Sequence, residues 1–250
     1  MARRNSSGGA AEVLAADEAI PEWKRQSVDR SLQAARVRAQ ARTDRFVAAA
    51  MELMHDQGGI DFTVQEVVER SRMSIRTFYN FFASKDDLMV AVHETILAKN
   101  VVPFLRERCD AEADAGNRIH AYIDAFYELT DDLGRAARAI TNHHYRLVET
   151  RPDDLERAVQ PQLDLVLELV RAAADDGRLH EGLDPVKTAQ MLYDTVLAAI
   201  HARILWSEHR VPVTADDLWE FCASGLGLEP GPKRTIRVVG THEKAGIDGA

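Results

Sequence analysis

Chemically active side chains are concentrated in one stretch of the chain, SRMSIRTFYNFFASKDDL at residues 71–88. Aromatic residues make up only 6% of the chain, yet three of its eight phenylalanines and one of its five tyrosines fall within residues 78–82. Arginine, threonine, asparagine and lysine are interspersed among these rings, and such side chains bind phosphate oxygens and base edges. The stretch therefore predicts a helix with two faces, one packed in a core and the other turned toward a partner.

Two short helices are predicted to position this stretch. Thr63 is followed three residues later by Glu66, which is the capping-box pattern that opens a helix. A three-residue turn separates this helix from a second one, which runs from Ser74 to about residue 82. Phe78 and Phe82 are four residues apart, so they share a face that packs against the first helix. This layout is that of a helix-turn-helix, whose second helix enters the major groove of DNA.

The charge of the chain is unevenly distributed. The formal net charge is −9, but residues 24–89 hold 11 Lys and Arg against 9 Asp and Glu, whereas residues 90–250 hold 18 against 27. Seven of the basic residues lie within residues 24–45. This asymmetry indicates a head that binds a polyanion on an acidic body, although a solvated helix face fits the charge equally well.

Hydrophobic periodicity is helical almost everywhere, which predicts an all-α fold of about nine helices, four short ones near the N-terminus and five longer ones. A kink or break is predicted at Pro161. Four segments are expected: a basic, partly disordered extension (1–39), a helix-turn-helix head (40–100, with the motif at 63–82), a larger helical body (101–228) and a disordered tail (229–250).

Several classes of protein are disfavoured. No GxSxG, P-loop, HExxH or dinucleotide-binding glycine pattern occurs, so an enzyme is not expected. There is no run of 18 apolar residues and no signal-peptide core, which favours a cytoplasmic protein with no membrane partner. Cys109 and Cys222 are isolated in the sequence and belong to no disulfide or metal-binding pattern, so both are predicted to be buried thiols. His143 and His144 are adjacent and point about 100° apart on a helix, so no metal site and no cofactor are predicted.

The segment FTVQEVVERSRMSIRTFYNFFASKDDLMVAVHE, preceded by RFVAAAMELMHDQGG, resembles the DNA-binding domain of the TetR family of transcriptional regulators. The resemblance covers residues 40–100 and rests on about a dozen matches of residue type and spacing. Arg72 and Val68 depart from it, because the family usually has Gly and Ala there. The resemblance implies that DNA is contacted by Thr63, Arg72, Ile75, Arg76, Thr77, Tyr79, Asn80 and Lys85.

Each implied DNA contact has a structural alternative. Thr77 can serve only to pack, Tyr79 to cover the core with its ring, and Lys85 to be solvated. The basic segment 24–45 either follows the DNA, as homeodomain arms do, or serves as a solubilising tail.

For the body, the resemblance implies ligand binding and dimerisation through helices 184–209 and 214–228. A homodimer would bind a quasi-palindromic double-stranded operator as a repressor and be released by a small, largely apolar effector. The alternative is a constitutive DNA-binding regulator without an effector, and a cavity of several hundred Å³ would favour the sensor. Aromatic residues on inner helices are more often core than pocket, but the candidates for the pocket are Phe104, Tyr122, Phe126, Tyr127, His143, Tyr145, His201 and Trp206.

Overall fold

In this computed structural model the protein is described over residues 21–133, 135–206 and 211–229. These residues form nine helices and no strand, which confirms the predicted all-α fold. The predicted tail and most of the predicted extension before residue 21 lie outside the described residues. The helices are α1 (Glu22–Gln57), α2 (Val64–Ser71), α3 (Ile75–Tyr79), α4 (Lys85–Asp110), α5 (Ala115–Leu133), α6 (Arg135–Thr150), α7 (Pro152–Asp175), α8 (Pro185–Trp206) and α9 (Ala215–Leu226).

The head is a small bundle formed by the second half of α1, by α2 and α3, and by the start of α4. Its core is built around Phe78, which is fully buried and meets the ring of Phe46 edge-on at 5.4 Å between centroids. Phe82 lies against both rings, at 5.4 and 6.2 Å. Edge-to-face aromatic pairs add about 0.5–1.5 kcal/mol to the free energy of burial. These three rings, one from α1 and two from the α3 region, therefore fix the position of α3.

Helix α1 is much longer than the head requires. It has 36 residues and ends at Gly58, whose φ of 64° lies in the left-handed region that glycine favours. Its buried residues begin only at Phe46, and Trp23, Val28 and Leu32 are exposed. The basic segment that begins at residue 24 is therefore an exposed helical arm, continuous with the head.

The body is formed by α5 to α9 around a core separate from that of the head. Helix α7 passes through its centre, with Leu165, Val166 and Leu169 fully buried. This helix continues through Pro161, where the sequence predicted a kink or break. A proline removes one backbone hydrogen bond, but burial of the apolar stripe on α7 maintains the helix. Cys109 and Cys222 are free and buried, as predicted, and burial raises the pKa values of their thiols to about 12 and about 11.

Helix α4 joins the head to the body. Among the described residues it is the one helix long and apolar enough, by length and composition, to cross a membrane. Leu88 and Val92 are buried in the head core and Leu105 in the body core, which accounts for its apolar composition. Between these halves, residues Leu97–Val101 form a π-helical turn, a feature that often marks functional sites.

Ion pairs tie the first turn of α4 to the body. The guanidinium of Arg146 on α6 lies 2.6 Å from the carboxylate of Asp86. Arg151, just before α7, pairs with Asp87. Asp87 also caps α4 by accepting a hydrogen bond from the backbone N–H of Ser84 at 3.0 Å, and together these bonds keep the pKa of its carboxyl below the usual range against the effect of burial. The start of α4 is therefore held by the head and the body at once.

Candidate nucleic-acid interface and internal cavity

The first helix of the motif is capped as the sequence predicted. The Thr63 hydroxyl accepts the backbone N–H of Glu66 at 3.2 Å, and the Glu66 carboxylate accepts the backbone N–H of Thr63 at 2.6 Å. These bonds lower the pKa of Glu66. Both residues lie at the surface of the head. Thr63 therefore caps α2 at the surface of the head.

The turn between α2 and α3 is fixed by an unusual backbone conformation. Arg72 has φ 55° and ψ 41°, and it is the one residue other than glycine with positive φ in the described chain. Its backbone N–H donates to the Glu69 carbonyl at 3.1 Å, which ends α2. Arg45 of α1 donates to the Ser71 carbonyl at 2.8 Å. The departure from the family's glycine is thus accommodated in the left-handed conformation, with the Arg72 side chain exposed.

Helix α3 begins at a cap without an acidic residue. The Ser74 hydroxyl accepts the backbone N–H of Thr77 at 3.1 Å, and the two hydroxyls lie 2.8 Å apart. The helix proper ends at Tyr79, three residues earlier than the sequence predicted. Bonds from the backbone N–H groups of Phe81 and Phe82 to the Phe78 carbonyl, both 2.9 Å, continue the turn. No carboxylate therefore lies in the first turn of α3 to repel a phosphate.

The two faces of α3 are separated as the sequence predicted. Phe78 and Phe82 are buried, whereas Tyr79 and Ile75 are 56% and 43% exposed. The edge of the Tyr79 ring rests on Phe78 at 5.3 Å, which leaves its hydroxyl outside the core. Arg76 and Asn80 are also exposed, while Thr77 is half-buried beside Ser74. The predicted contact residues on α3 thus form one polar surface on a rigid support.

Lys85 is placed differently from its neighbours. Its ammonium donates to the carbonyl oxygen of Ile60 at 2.5 Å and lies 4.5 Å from the centre of the Phe62 ring. Partial burial lowers its pKa. The group is turned toward the head in this conformation, so a contact with phosphate requires rotation of the side chain.

The body contains an apolar cavity of about 80 Å³ beneath α4. It lies between α4 and helices α5 to α8, and the π-helical turn of α4 contributes Leu97 and Val101 to its wall. Phe126 and His201, two of the pocket candidates, lie in its wall. Typical ligand pockets have about 300–1,000 Å³. The cavity in this conformation is therefore smaller than the one the sensor prediction calls for.

Three histidines are among the polar residues of the cavity wall. His93, His144 and His201 come from α4, α6 and α8, and the ring of His144 lies 5.9 and 4.9 Å from those of His93 and His201. Burial lowers all three pKa values, to about 3 for His93 and about 4 for His201. The rings are therefore neutral at pH 7 and offer hydrogen bonds rather than charge. Sequence reasoning missed His93, because nothing near it in sequence links it to the other two.

Six of the eight predicted pocket residues do not line this cavity. Tyr122 is fully buried, and its hydroxyl accepts a hydrogen bond from Gln162 at 3.0 Å. The Tyr127 hydroxyl donates to the Val213 carbonyl at 3.2 Å. The other four lie elsewhere in the body: Phe104 is beside Arg108, His143 is buried next to His93, and Tyr145 and Trp206 are 43% and 41% exposed.

An apolar groove of about 560 Å³ lies on the outer face of α8 and α9, the helices predicted to pair with a second copy. Met191 and Phe221 are each 70% exposed there, and Leu183 is 37% exposed. Large exposed apolar patches on a protein surface mark interaction sites.

Comparison with known proteins agrees with this geometry. Residues 46–92 match the family model described as bacterial regulatory proteins, tetR family. The HTH-type transcriptional activator FasR of Mycolicibacterium smegmatis is 22% identical over 193 residues, which cover 76% of this chain and 84% of that protein.

Solved structures share the fold at low identity. FadR from Bacillus subtilis in complex with stearoyl-CoA has a TM-score of 0.59 at 16% identity, over 73% of this chain and 98% of that one. RolR in complex with resorcinol also has a TM-score of 0.59 at 16% identity, over 77% of this chain and 91% of that one. Thermus thermophilus FadR, a repressor in complex with lauroyl-CoA, has a TM-score of 0.55 at 19% identity, over 80% of this chain and 100% of that one.

The fold and the exposed polar face of α3 define a helix-turn-helix regulator of transcription. Residues 46–92 of its head match the DNA-binding domain of the TetR family, which confirms the resemblance seen in the sequence.

Proposed function

We propose that the protein is a homodimer that binds a quasi-palindromic operator in the cytoplasm and changes its affinity when a small apolar molecule enters the body. The observation that carries the DNA-binding step is the polar face of α3, held outside a core of three phenylalanine rings. Thr77, Tyr79 and Asn80 on this face offer hydroxyl and amide groups to bases and phosphates. Arg76 adds a positive charge without a carboxylate in the same turn.

Dimerisation is supported by the apolar groove between α8 and α9. One short recognition helix buries little surface on DNA, whereas a two-fold dimer presents two of them at half-sites about 34–36 Å apart. The exposed side chains of Met191 and Phe221 would be buried if α8 and α9 packed against their symmetry mates. This arrangement places the interface far from α3, so the two reading heads remain free.

Helix α4 provides a route from effector to DNA. Its π-helical turn lines the cavity, and its first turn is bonded to Arg146 and Arg151. A ligand larger than the free volume of about 80 Å³ must displace atoms of the cavity wall, to which this turn contributes Leu97 and Val101. Such a ligand favours a second position of α4 and thereby changes the separation of the two heads.

The apolar wall favours an acyl chain or an aromatic ring as effector. Two related structures hold acyl-CoA molecules and one holds resorcinol. Repression is the proposed direction, as for T. thermophilus FadR, although the M. smegmatis relative is called an activator. The small size of the cavity favours the second candidate, a constitutive regulator whose body only dimerises.

The proposal is tested on an operator selected from a random DNA library with the full-length protein. Thr77→Ala and Tyr79→Ala are each expected to weaken operator binding by about 10–100-fold, because each removes one or two contacts to DNA. Thr150→Ala, which changes an exposed threonine on α6, is the matched control and should bind like wild type. Wild-type affinity in both head variants would refute DNA binding through α3.

The same binding assay separates the two candidates. Lauroyl-CoA, stearoyl-CoA and resorcinol are added to the protein–operator complex. Release or tightening by any of them supports the sensor, whereas no change with any of them supports the constitutive regulator.

A further inference from the structure

We infer that the body holds a divalent transition-metal ion between α5 and α9, at a site formed by His120, Asp124 and Asp216. One ligand atom from each residue lies within 4.8 Å of the other two. The Nε2 atom of His120 is 3.6 Å from an oxygen of Asp124 and 3.5 Å from an oxygen of Asp216. Around a tetrahedral ion with bonds of about 2.0–2.1 Å, neighbouring ligand atoms lie about 3.3 Å apart. The two distances from His120 are thus close to those between ligands of one ion, and the two carboxylates would close around the ion from within 4.8 Å of each other.

His120 is the group that requires a partner. It is only 4% exposed, and its Nε2 atom makes no hydrogen bond within the described part of the chain. The two carboxylate oxygens beside it are too distant for a well-formed N–H···O bond, whose usual length is about 2.7–3.2 Å. A buried imidazole nitrogen without a partner is costly. A metal ion between this nitrogen and the carboxylates would satisfy it.

The imidazole is already oriented for this role. The indole of Trp219 on α9 is stacked on it, with 4.8 Å between ring centroids and 7° between the planes. His120 and Asp124 are one helical turn apart on α5, so their side chains reach the same point. Asp216 belongs to the first turn of α9, which is opened by the Thr214 cap. The ligands are therefore positioned by two helices before any ion binds.

The ligand set selects the kind of ion. One nitrogen and two carboxylate oxygens suit Zn²⁺, Co²⁺ or Mn²⁺, whereas Mg²⁺ prefers oxygen ligands and retains its waters. Asp216 has 29% of its side chain exposed, which gives the ion a path from solvent. The ion would join α5 to α9, the helix that also carries the exposed Phe221 of the apolar groove.

The rival occupant is a proton on His120, which would form an imidazolium between the two acids. Co²⁺ is titrated into the metal-free, full-length protein, and its visible absorption and the quenching of tryptophan fluorescence are recorded. Saturable binding of one ion per chain is expected, with quenching that disappears in Trp219→Phe. Zn²⁺ should compete with Co²⁺, and Mg²⁺ should not.

Three variants assign the ligands. His120→Phe retains a ring that can stack on the indole of Trp219 but removes the imidazole nitrogens. Asp216→Asn and Asp124→Asn each remove one negative charge. Each is expected to weaken Co²⁺ binding at least tenfold, while His55→Gln, which changes an exposed histidine on α1, should not. Circular dichroism checks that each variant is folded.

Thermal unfolding gives a second measurement. A saturating hundredfold excess of Zn²⁺ over the dissociation constant should raise the wild-type melting temperature by roughly 5 °C and that of the Asp216→Asn variant by much less. Absence of saturable Co²⁺ binding, or equal binding by wild type and by the folded variants, would overturn the site. A melting temperature that does not depend on Zn²⁺ would overturn it as well.

Discussion

The head and the body place their functional groups on opposite sides of their cores. In the head, Phe46, Phe78 and Phe82 fill the interior, and the polar groups of α3 lie outside. In the body, the core encloses a cavity with neutral histidines in its wall. A closed core supports a rigid surface that reads DNA, whereas an imperfectly filled core can yield to a ligand. The proposed DNA-binding face and the proposed effector cavity therefore belong to different packing clusters, which α4 joins.

The largest effect that tests this difference is expected at Phe78. Phe78→Ala removes a fully buried ring and leaves a cavity, which should reduce the stability of the head by about 3–5 kcal/mol. Amide hydrogen exchange should show lost protection in α2 and α3 and retained protection in α7. Tyr79→Ala, at the neighbouring exposed position, is the control and should leave exchange in the head nearly unchanged. Equal loss of protection in α3 and α7 would mean that the two cores form one cooperative unit.

Acid is expected to weaken the body through its buried histidines. Burial lowers the pKa of His93 from 6.5 to about 3, so below pH 6.5 the unfolded chain binds a proton that the folded chain does not. Stability from His93 is therefore present above pH 6.5 and lost as the pH falls toward 3, by about 2 kcal/mol at pH 5. Urea denaturation between pH 7.5 and 5 measures this loss. The loss of stability should be smaller in His93→Phe and unchanged in His55→Gln. A wild-type stability that stays constant over this pH range would contradict the prediction.

The smallest effect concerns the turn of the head. Arg72 has a left-handed conformation that glycine adopts at less cost, so Arg72→Gly should stabilise the head by about 0.5–1 kcal/mol. Arg76→Gly, within α3, should instead destabilise it by about 1 kcal/mol. Urea denaturation of both variants tests the pair, and destabilisation of similar size in both would show that the turn is not strained. If Arg72 contacts a phosphate, its replacement also reduces the slope of the logarithm of the operator-binding constant against the logarithm of the salt concentration by about 1.

The sequence predicted the head well because its signals are local. The capping box at Thr63, and the alternation of buried and exposed residues around Phe78, depend on residues a few positions apart. Such patterns are read directly from spacing. The nine helices followed from the same periodicity.

The cavity and the proposed metal site were not predictable in the same way. His93, His144 and His201 meet only because three distant helices pack together. His120 and Asp124 have the four-residue spacing of helical metal ligands, and this spacing could have been noticed in the sequence. Asp216 joins them only through the contact between α5 and α9. The aromatic residues chosen as pocket candidates are mostly core, since ring content alone does not show which side chains border a void.

The π-helical turn at Leu97–Val101 has a geometric consequence for how the head is oriented. A π turn accommodates one extra residue, and one residue in a helix corresponds to a rotation of about 100° and a rise of about 1.5 Å. The two halves of α4 are therefore out of phase with each other by a fixed angle. In the proposed dimer, this angle would set the direction in which each α3 faces relative to the two-fold axis. Removal or addition of one residue in this turn would re-aim both recognition helices while every residue of α3 stays the same.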